Sequence, residues 1–117
     1  MTQLEFEGAA PGAAPGLVVR GEVDAATAPT LDGRLEAAIR ESVGSFVLDL
    51  SGVDFLDSTG LRVLLRARGL LGREDRALAV ICPFGPVRRV FELSGLSTVF
   101  ALYPSRDAAA AHLVPAN

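Results

Sequence analysis

The chain has 117 residues, of which 50% are hydrophobic and one is cysteine, and its formal net charge is −3. This length fits one compact domain, because two separate cores would each bury too little surface, and the hydrophobic content excludes global disorder. The negative net charge disfavours a nucleic-acid binder, because such proteins usually carry an excess of basic residues. A single cysteine cannot form an internal disulfide, and one cysteine with one histidine is too few for a His/Cys metal site.

The N-terminal part of the chain has the pattern of two short strands. Leu4 to Glu7 alternate apolar and charged residues, which is typical of a half-buried strand. A loop rich in proline and glycine follows up to Gly16, and the β-branched residues in 17–23 predict a second strand. Because the link is short, we expect these strands to pair antiparallel.

A helix and a central strand are predicted next. Thr27 is predicted to cap a helix that has Pro29 in its first turn and ends at Gly44. Its apolar residues share one face: Leu31, Leu35, Ala38 and Ile39. Residues 45–50 predict a buried central strand, after which Ser51 and Gly52 predict a tight turn.

A second helix is predicted to begin at about Ser58, with the serine as its N-cap. Its predicted buried residues are Leu61, Leu64, Leu65 and Leu71. Arg62, Arg66 and Arg73 form an outer stripe, which fits either a solvated face or a docking surface for an acidic partner.

The C-terminal part continues the alternation of strands and helices. Residues 77–82 form an apolar run typical of a strand buried on both faces. A helix opening at Pro86, a weak strand at 99–102 and a helix at 107–113 capped by Ser105 follow. This order predicts an α/β fold with a mixed, largely parallel sheet of roughly four or five strands and about four covering helices.

One domain is expected over residues 1–117. Residues 1–16 hold the short first strand and its loop, and residues 17–113 form the core. No uncharged apolar run reaches the roughly 18 residues of a membrane span, and the N-terminus has no signal-peptide pattern. We therefore expect a cytoplasmic protein that binds no membrane.

The most informative stretch places Asp57 and Ser58 where the central strand leads into the second helix. Helix capping alone explains the serine, and a favourable interaction with the helix dipole explains the acid. However, if Ser58 already caps the helix, the neighbouring Asp57 places more negative charge at the helix start than capping requires. The alternative is a functional site in which the helix N-terminus receives a phosphate on the hydroxyl.

Sequence patterns that would indicate a catalytic site are weaker than this one. Asp49 follows a strand, as the nucleophile of haloacid-dehalogenase-like phosphatases does, but those enzymes need a second aspartate where Ser51 stands. Ser58 lacks the glycine pattern of a nucleophile elbow, and His112 is expected at the surface. Cys82 is expected in the core. We expect no catalytic residue, no metal and no cofactor.

Three collinear stretches resemble the STAS family, and within it the stand-alone bacterial anti-sigma factor antagonists. They are residues 21–24 with Thr27 and Ala28, residues 47–61, and residues 87–96. Ala25 and Ala26 depart from the family pattern, in which many members have polar or histidine residues here. The resemblance implies that Ser58, or as second choice Thr59, is phosphorylated by a partner that is both a serine-protein kinase and an anti-sigma factor. It also implies that the unphosphorylated form binds this partner and frees a sigma factor, and that a PP2C-like phosphatase resets the cycle.

The resemblance further implies a partner-binding surface around the phosphorylated serine. Its residues are Asp24, Asp57, Thr59, Gly60, Leu61, Arg62 and Arg66. We expect a monomer or weak dimer that is not an enzyme. The alternatives are a STAS module of another assembly, such as a stressosome-like complex or a lipid or transport system, and a small phosphatase using Asp49 or Ser58.

Overall fold

The structure is a computed structural model, in which residues 3–9 and 14–112 are described. Its elements in chain order are β1 (Glu5–Gly8), β2 (Gly16–Val23), α1 (Ala28–Arg40), β3 (Phe46–Leu56), α2 (Ser58–Gly72), β4 (Leu78–Ile81), α3 (Pro86–Leu93), a 3₁₀ turn (Leu96–Thr98), β5 (Ala101–Tyr103) and α4 (Arg106–His112). None of these helices is long and apolar enough to cross a lipid bilayer.

The five strands form one mixed sheet in the order β1-β2-β3-β4-β5. β1 pairs antiparallel with β2, as predicted, and every other pair is parallel. Because parallel crossovers are right-handed and the strand order is sequential, α1, α2 and α3 lie on the same face of the sheet. The predicted α/β fold class is confirmed.

The main core fills the space between this helical layer and the sheet. Side chains alternate along a strand, so Phe46, Leu48 and Leu50 of β3 face the helices and are at most 2% exposed. Val47 and Asp49 face the opposite side, where α4 covers part of the sheet. Cys82 is buried in the main core as predicted, and burial raises the pKa of its thiol to about 11.

The turn predicted at Ser51 and Gly52 is wrong, because β3 continues through both residues to Leu56. Two register shifts let the longer β3 stay paired with β2 over its whole length. At the first shift, a Cβ on Gly52 would lie 2.6 Å from Cγ of Arg20. The missing side chain therefore allows the Arg20 stem to cross the strand, so the glycine serves close approach rather than a turn.

Two details of the helices also differ from the predictions. Thr27 occupies the N-cap position of α1 but makes no capping hydrogen bond; its hydroxyl donates to the carbonyl of Glu22 and accepts from the N–H of Asp24. Leu65, predicted to be buried, is 38% exposed, and Ala67 is buried instead, because the contact face of α2 runs through Leu64 and Ala67.

Two predictions at the C-terminal end of the chain are confirmed. His112 lies at the surface, and the hydroxyl oxygen of Ser105 caps α4 by accepting from the N–H of Ala108.

Candidate functional site

The candidate site lies where β2 and β3 end side by side. Val23 pairs with Leu56, and the N–H of Asp57 donates to the carbonyl of Val23 over 3.2 Å. Since the two strands are parallel, the residues that follow them emerge at the same edge of the sheet. Asp24 therefore begins the loop beside the segment that carries Asp57 and Ser58.

Asp57, and not Ser58, is the N-cap of α2, so that prediction is wrong. Its backbone is extended, with φ −113° and ψ −172°, and its Oδ1 accepts from the N–H groups of Thr59, at 3.0 Å, and Gly60, at 3.2 Å. An extended residue with a carboxylate is the arrangement that satisfies the free N–H groups at a helix start. Ser58 is consequently the first residue of the helix.

The two neighbouring hydroxyls differ in their surroundings. The Thr59 hydroxyl donates a hydrogen bond to Oδ1 of Asp57. The Ser58 side chain is exposed and makes no hydrogen bond with any residue that the structure describes. Only the serine hydroxyl is thus free to reach a reacting group without first breaking a contact.

Asp57 is held in its ionised form by these contacts. The hydrogen bond from the Thr59 hydroxyl lowers the pKa of the Asp57 carboxyl most, and together with the backbone N–H groups of Gly60 and Thr59 it outweighs the opposing effect of burial. The carboxylate is therefore charged at neutral pH beside the free hydroxyl.

Gly60 fixes how closely α2 approaches the sheet. A Cβ here would lie 2.4 Å from Cδ1 of Leu56 and 2.6 Å from Cγ1 of Val23. Contacts this short do not occur between real side chains, so any larger residue would force Leu56, Val23 or the helix start to shift. The glycine therefore sets the position of the capped turn relative to the ends of β2 and β3.

The loop after β2 is held by hydrogen bonds to the Asp24 side chain, which were not predicted from the sequence. Oδ1 of Asp24 accepts from the N–H groups of Ala26, at 3.0 Å, and Thr27, at 3.1 Å. Together with the Thr27 contacts described above, these bonds fix the loop that borders Asp57. The spacing of an aspartate three residues before a threonine is the signal that could have indicated this turn.

The remaining residues of the predicted surface occupy different environments. Gly60 is buried and Leu61 is 6% exposed, so both support the site from inside. Arg66 lies between helices and forms ion pairs with Asp32 of α1, at 2.8 Å, and Glu36 of α1, at 2.7 Å. Arg62 is exposed and, within the described part of the chain, its guanidinium has no hydrogen-bonding partner.

Comparisons with known sequences point to one family. The family model of the STAS domain matches residues 12–109. BtrV of Bordetella bronchiseptica, named as a candidate anti-sigma factor antagonist, is 39% identical over 94 residues that cover 80% of each chain. The anti-sigma-F factor antagonist RsfB of Mycobacterium tuberculosis is 31% identical over 87 residues, covering 74% of this chain and 70% of RsfB.

A comparison with solved structures agrees. The crystal structure of an anti-sigma factor antagonist from Mycobacterium paratuberculosis superposes with a TM-score of 0.86 at 32% sequence identity. The match covers 95% of this chain and 94% of that one.

Proposed function

Because the chain belongs to the STAS domain family, we propose that it is an anti-sigma factor antagonist switched by phosphorylation of Ser58. The proposed partner is an anti-sigma factor that is also a serine-protein kinase. The unphosphorylated chain binds this partner and releases a sigma factor, and a PP2C-like phosphatase removes the phosphate. The relatives BtrV and RsfB carry names that agree with this role.

The observation that carries the proposal is the difference between the two hydroxyls at the start of α2. Ser58 is exposed and free of hydrogen bonds among the described residues, whereas the hydroxyl of Thr59 is engaged by Asp57. A kinase can therefore reach Ser58 while the capped turn stays intact. The proposed contact surface joins Ser58 to the Asp24 loop on one side and Arg62 on the other.

Electrostatics explain how one phosphate can weaken binding strongly without refolding the chain. Phosphorylation adds about −1.5 to −2 charges beside the ionised Asp57. Two charges against one carboxylate at roughly 5 Å are worth about 2 to 3 kcal/mol at an effective dielectric of about 40 to 60. If the partner presents an acid at this spot, its affinity falls by about 30- to 150-fold.

A regulatory binding role also agrees better with the structure than hydrolysis at Asp49. The Asp49 carboxylate is 5% exposed and already accepts hydrogen bonds from the N–H of Ser51, at 2.9 Å, and from Nε of Arg106, at 2.8 Å. A nucleophilic carboxylate needs an open approach for its substrate, and this one has both oxygens engaged. We therefore propose a binding protein and not an enzyme.

Mass spectrometry after incubation with kinase and ATP tests the proposal. The kinases to use are the ATP-binding anti-sigma factors encoded in the same genome. We expect at least one of them to place phosphate on Ser58 in the wild-type chain and in Thr59→Val, and no modification in Ser58→Ala. Failure of every such kinase to modify the wild-type chain would contradict the proposal.

A further inference from the structure

A cavity of about 200 Å³ lies on the face of the sheet opposite α1 to α3. One wall is α4, whose inward residues are alanines, and the other wall is formed where β1 ends and β2 begins, at Gly8 and Gly16, which have no side chains. Because these residues have small side chains or none, space stays open between α4 and this part of the sheet. The floor of the cavity consists of Val18, Val47 and Ile81, so it is apolar.

One end of the cavity carries an ion pair between the buried carboxylate of Asp49 in β3 and the exposed Arg106 of α4. Burial of the Asp49 carboxyl would raise its pKa, but the hydrogen bonds from Ser51 and from Arg106 outweigh this effect and hold the pKa below its ordinary value. Taking a carboxylate out of water costs free energy that an ion pair regains only in part. Arg106 itself stays in contact with solvent, so the clear structural effect of the pair is to fix the position of its guanidinium.

Arg106 uses only one of its nitrogens in this pair. Nε donates to Oδ2 of Asp49 over 2.8 Å, while Nη1 and Nη2 donate to no residue that the structure describes. The side chain is 63% exposed, so the free edge of the guanidinium is accessible to a small molecule. Guanidinium N–H groups in this planar arrangement match the two oxygens of a carboxylate.

We propose that this cavity binds a small monocarboxylate with an apolar body. The apolar body, an aromatic ring or a branched acyl chain, fills the space between α4 and the strand ends at Gly8 and Gly16. The carboxylate accepts hydrogen bonds from the free nitrogens of Arg106. An apolar cavity of about 150 Å³ holds a benzene ring, so this one takes a ring with a small substituent. The free N–H groups of Arg106 at the mouth favour a carboxylate over a neutral molecule of the same shape, because they can donate to both of its oxygens.

The cavity is separate from the surface around Ser58. Val47 and Asp49 lie near the start of β3, whereas Ser58 follows the end of β3 at Leu56, roughly 23 to 30 Å away at the usual rise of a strand. Binding at the cavity therefore adds a second site to the chain and does not depend on the function proposed for Ser58.

A titration followed by the amide signals in NMR spectra tests the proposal, with benzoate as the probe and benzyl alcohol as its neutral counterpart. We expect saturable shifts of the signals of Val18, Val47 and Ala109 with benzoate at about millimolar concentration. Benzyl alcohol should bind about 10-fold more weakly or not at all. Equal binding of the two probes, shifts confined to other regions, or no saturable shift would each overturn the proposal.

Two variants and a control show whether benzoate binds in the cavity and through Arg106. Ala110→Phe fills the cavity from an exposed position of α4 and keeps both residues of the ion pair, and we expect it to abolish benzoate binding. Arg106→Gln should weaken binding about 10-fold or more, whereas Arg68→Gln, which removes an exposed arginine of α2, should not change it. If Ala110→Phe is folded and binds benzoate as tightly as the wild type, the proposal is wrong.

Discussion

The hydroxyl of Thr59 donates a hydrogen bond to Oδ1 of Asp57, and the same oxygen accepts from two backbone N–H groups. One carboxylate oxygen thus caps α2 and engages the second of two adjacent hydroxyls. Ser58, between these two residues, remains exposed. Neighbouring residues of similar chemistry therefore differ in their availability for modification, because only one of them takes part in the cap.

The hydrogen bond of Thr59 should contribute measurably to stability. We expect Thr59→Val to lower the free energy of unfolding by about 1 kcal/mol, since the variant keeps the shape of the side chain and loses the bond. Denaturant unfolding of wild type and variant measures this difference. Thr98→Val is the matched control, because the Thr98 hydroxyl is exposed and makes only a long bond of 3.4 Å. An effect of Thr59→Val no larger than that of the control would contradict the account.

The charge of Asp57 should make a pH-dependent contribution. Its pKa is depressed in the folded chain, so the carboxylate stabilises the fold above its unfolded pKa of about 3.9 and loses this effect as the pH falls through the folded value. We expect Asp57→Asn to lower the free energy of unfolding by about 0.3 to 1 kcal/mol at pH 7. Unfolding curves from neutral pH downward should show this difference shrinking below about pH 4.

Asp54→Asn controls for the loss of one negative charge, because Asp54 is exposed and caps no helix. A difference for Asp57→Asn that stays constant from neutral to strongly acidic pH would show that the charge of Asp57 contributes nothing.

Gly60 should tolerate no side chain. Gly60→Ala places a Cβ against Leu56 and Val23, and we expect a loss of about 1 to 3 kcal/mol in the free energy of unfolding. Gly69 of α2 is the matched control, since a Cβ there meets nothing within 4 Å. Gly69→Ala should stabilise the chain by about 0.5 to 1 kcal/mol through helix propensity. Similar effects of the two substitutions, measured by chemical denaturation, would rule out close packing as the role of Gly60.

Arg76 should be the arginine on which stability depends most. Its side chain is 7% exposed and donates to the carbonyls of Ile39 and Gly44, at 2.8 and 2.7 Å, and to the Ser42 hydroxyl. Arg76→Met should cost about 2 to 3 kcal/mol, because these acceptors at the end of α1 lose their donor. Arg68→Met, on the exposed face of α2, should change the free energy of unfolding by less than about 0.5 kcal/mol. Equal melting temperatures for the two variants would refute this assignment.

The sequence predicted the element order well, because hydrophobic periodicity and short links determine which segments become helices and strands. The predictions from the sequence were wrong where the same residues fit two local structures equally well. Asp57 and Ser58 are both good N-caps, and only the backbone conformation at the end of β3 decides between them. Ser51 and Gly52 have the composition of a turn, but pairing with the whole of β2 keeps them in the strand.

Burial within the helices was harder to predict than their bounds. Leu65 and Arg66 follow one another on α2, and the sequence alone does not show which neighbours each side chain meets. Leu65 is partly exposed, and Arg66 pairs with two acids of α1. The positions of those acids depend on how α1 and α2 pack, which a pattern within one helix does not encode.

The affinity of the anti-sigma factor partner for the chain before and after phosphorylation of Ser58 tests the central claim most directly. Isothermal titration calorimetry with both forms measures it, with Ser58→Ala carried through the same kinase reaction as the control. The account predicts an affinity about 30- to 150-fold lower for the phosphorylated chain and no change for Ser58→Ala. Equal affinities for the phosphorylated and unphosphorylated chains would contradict it.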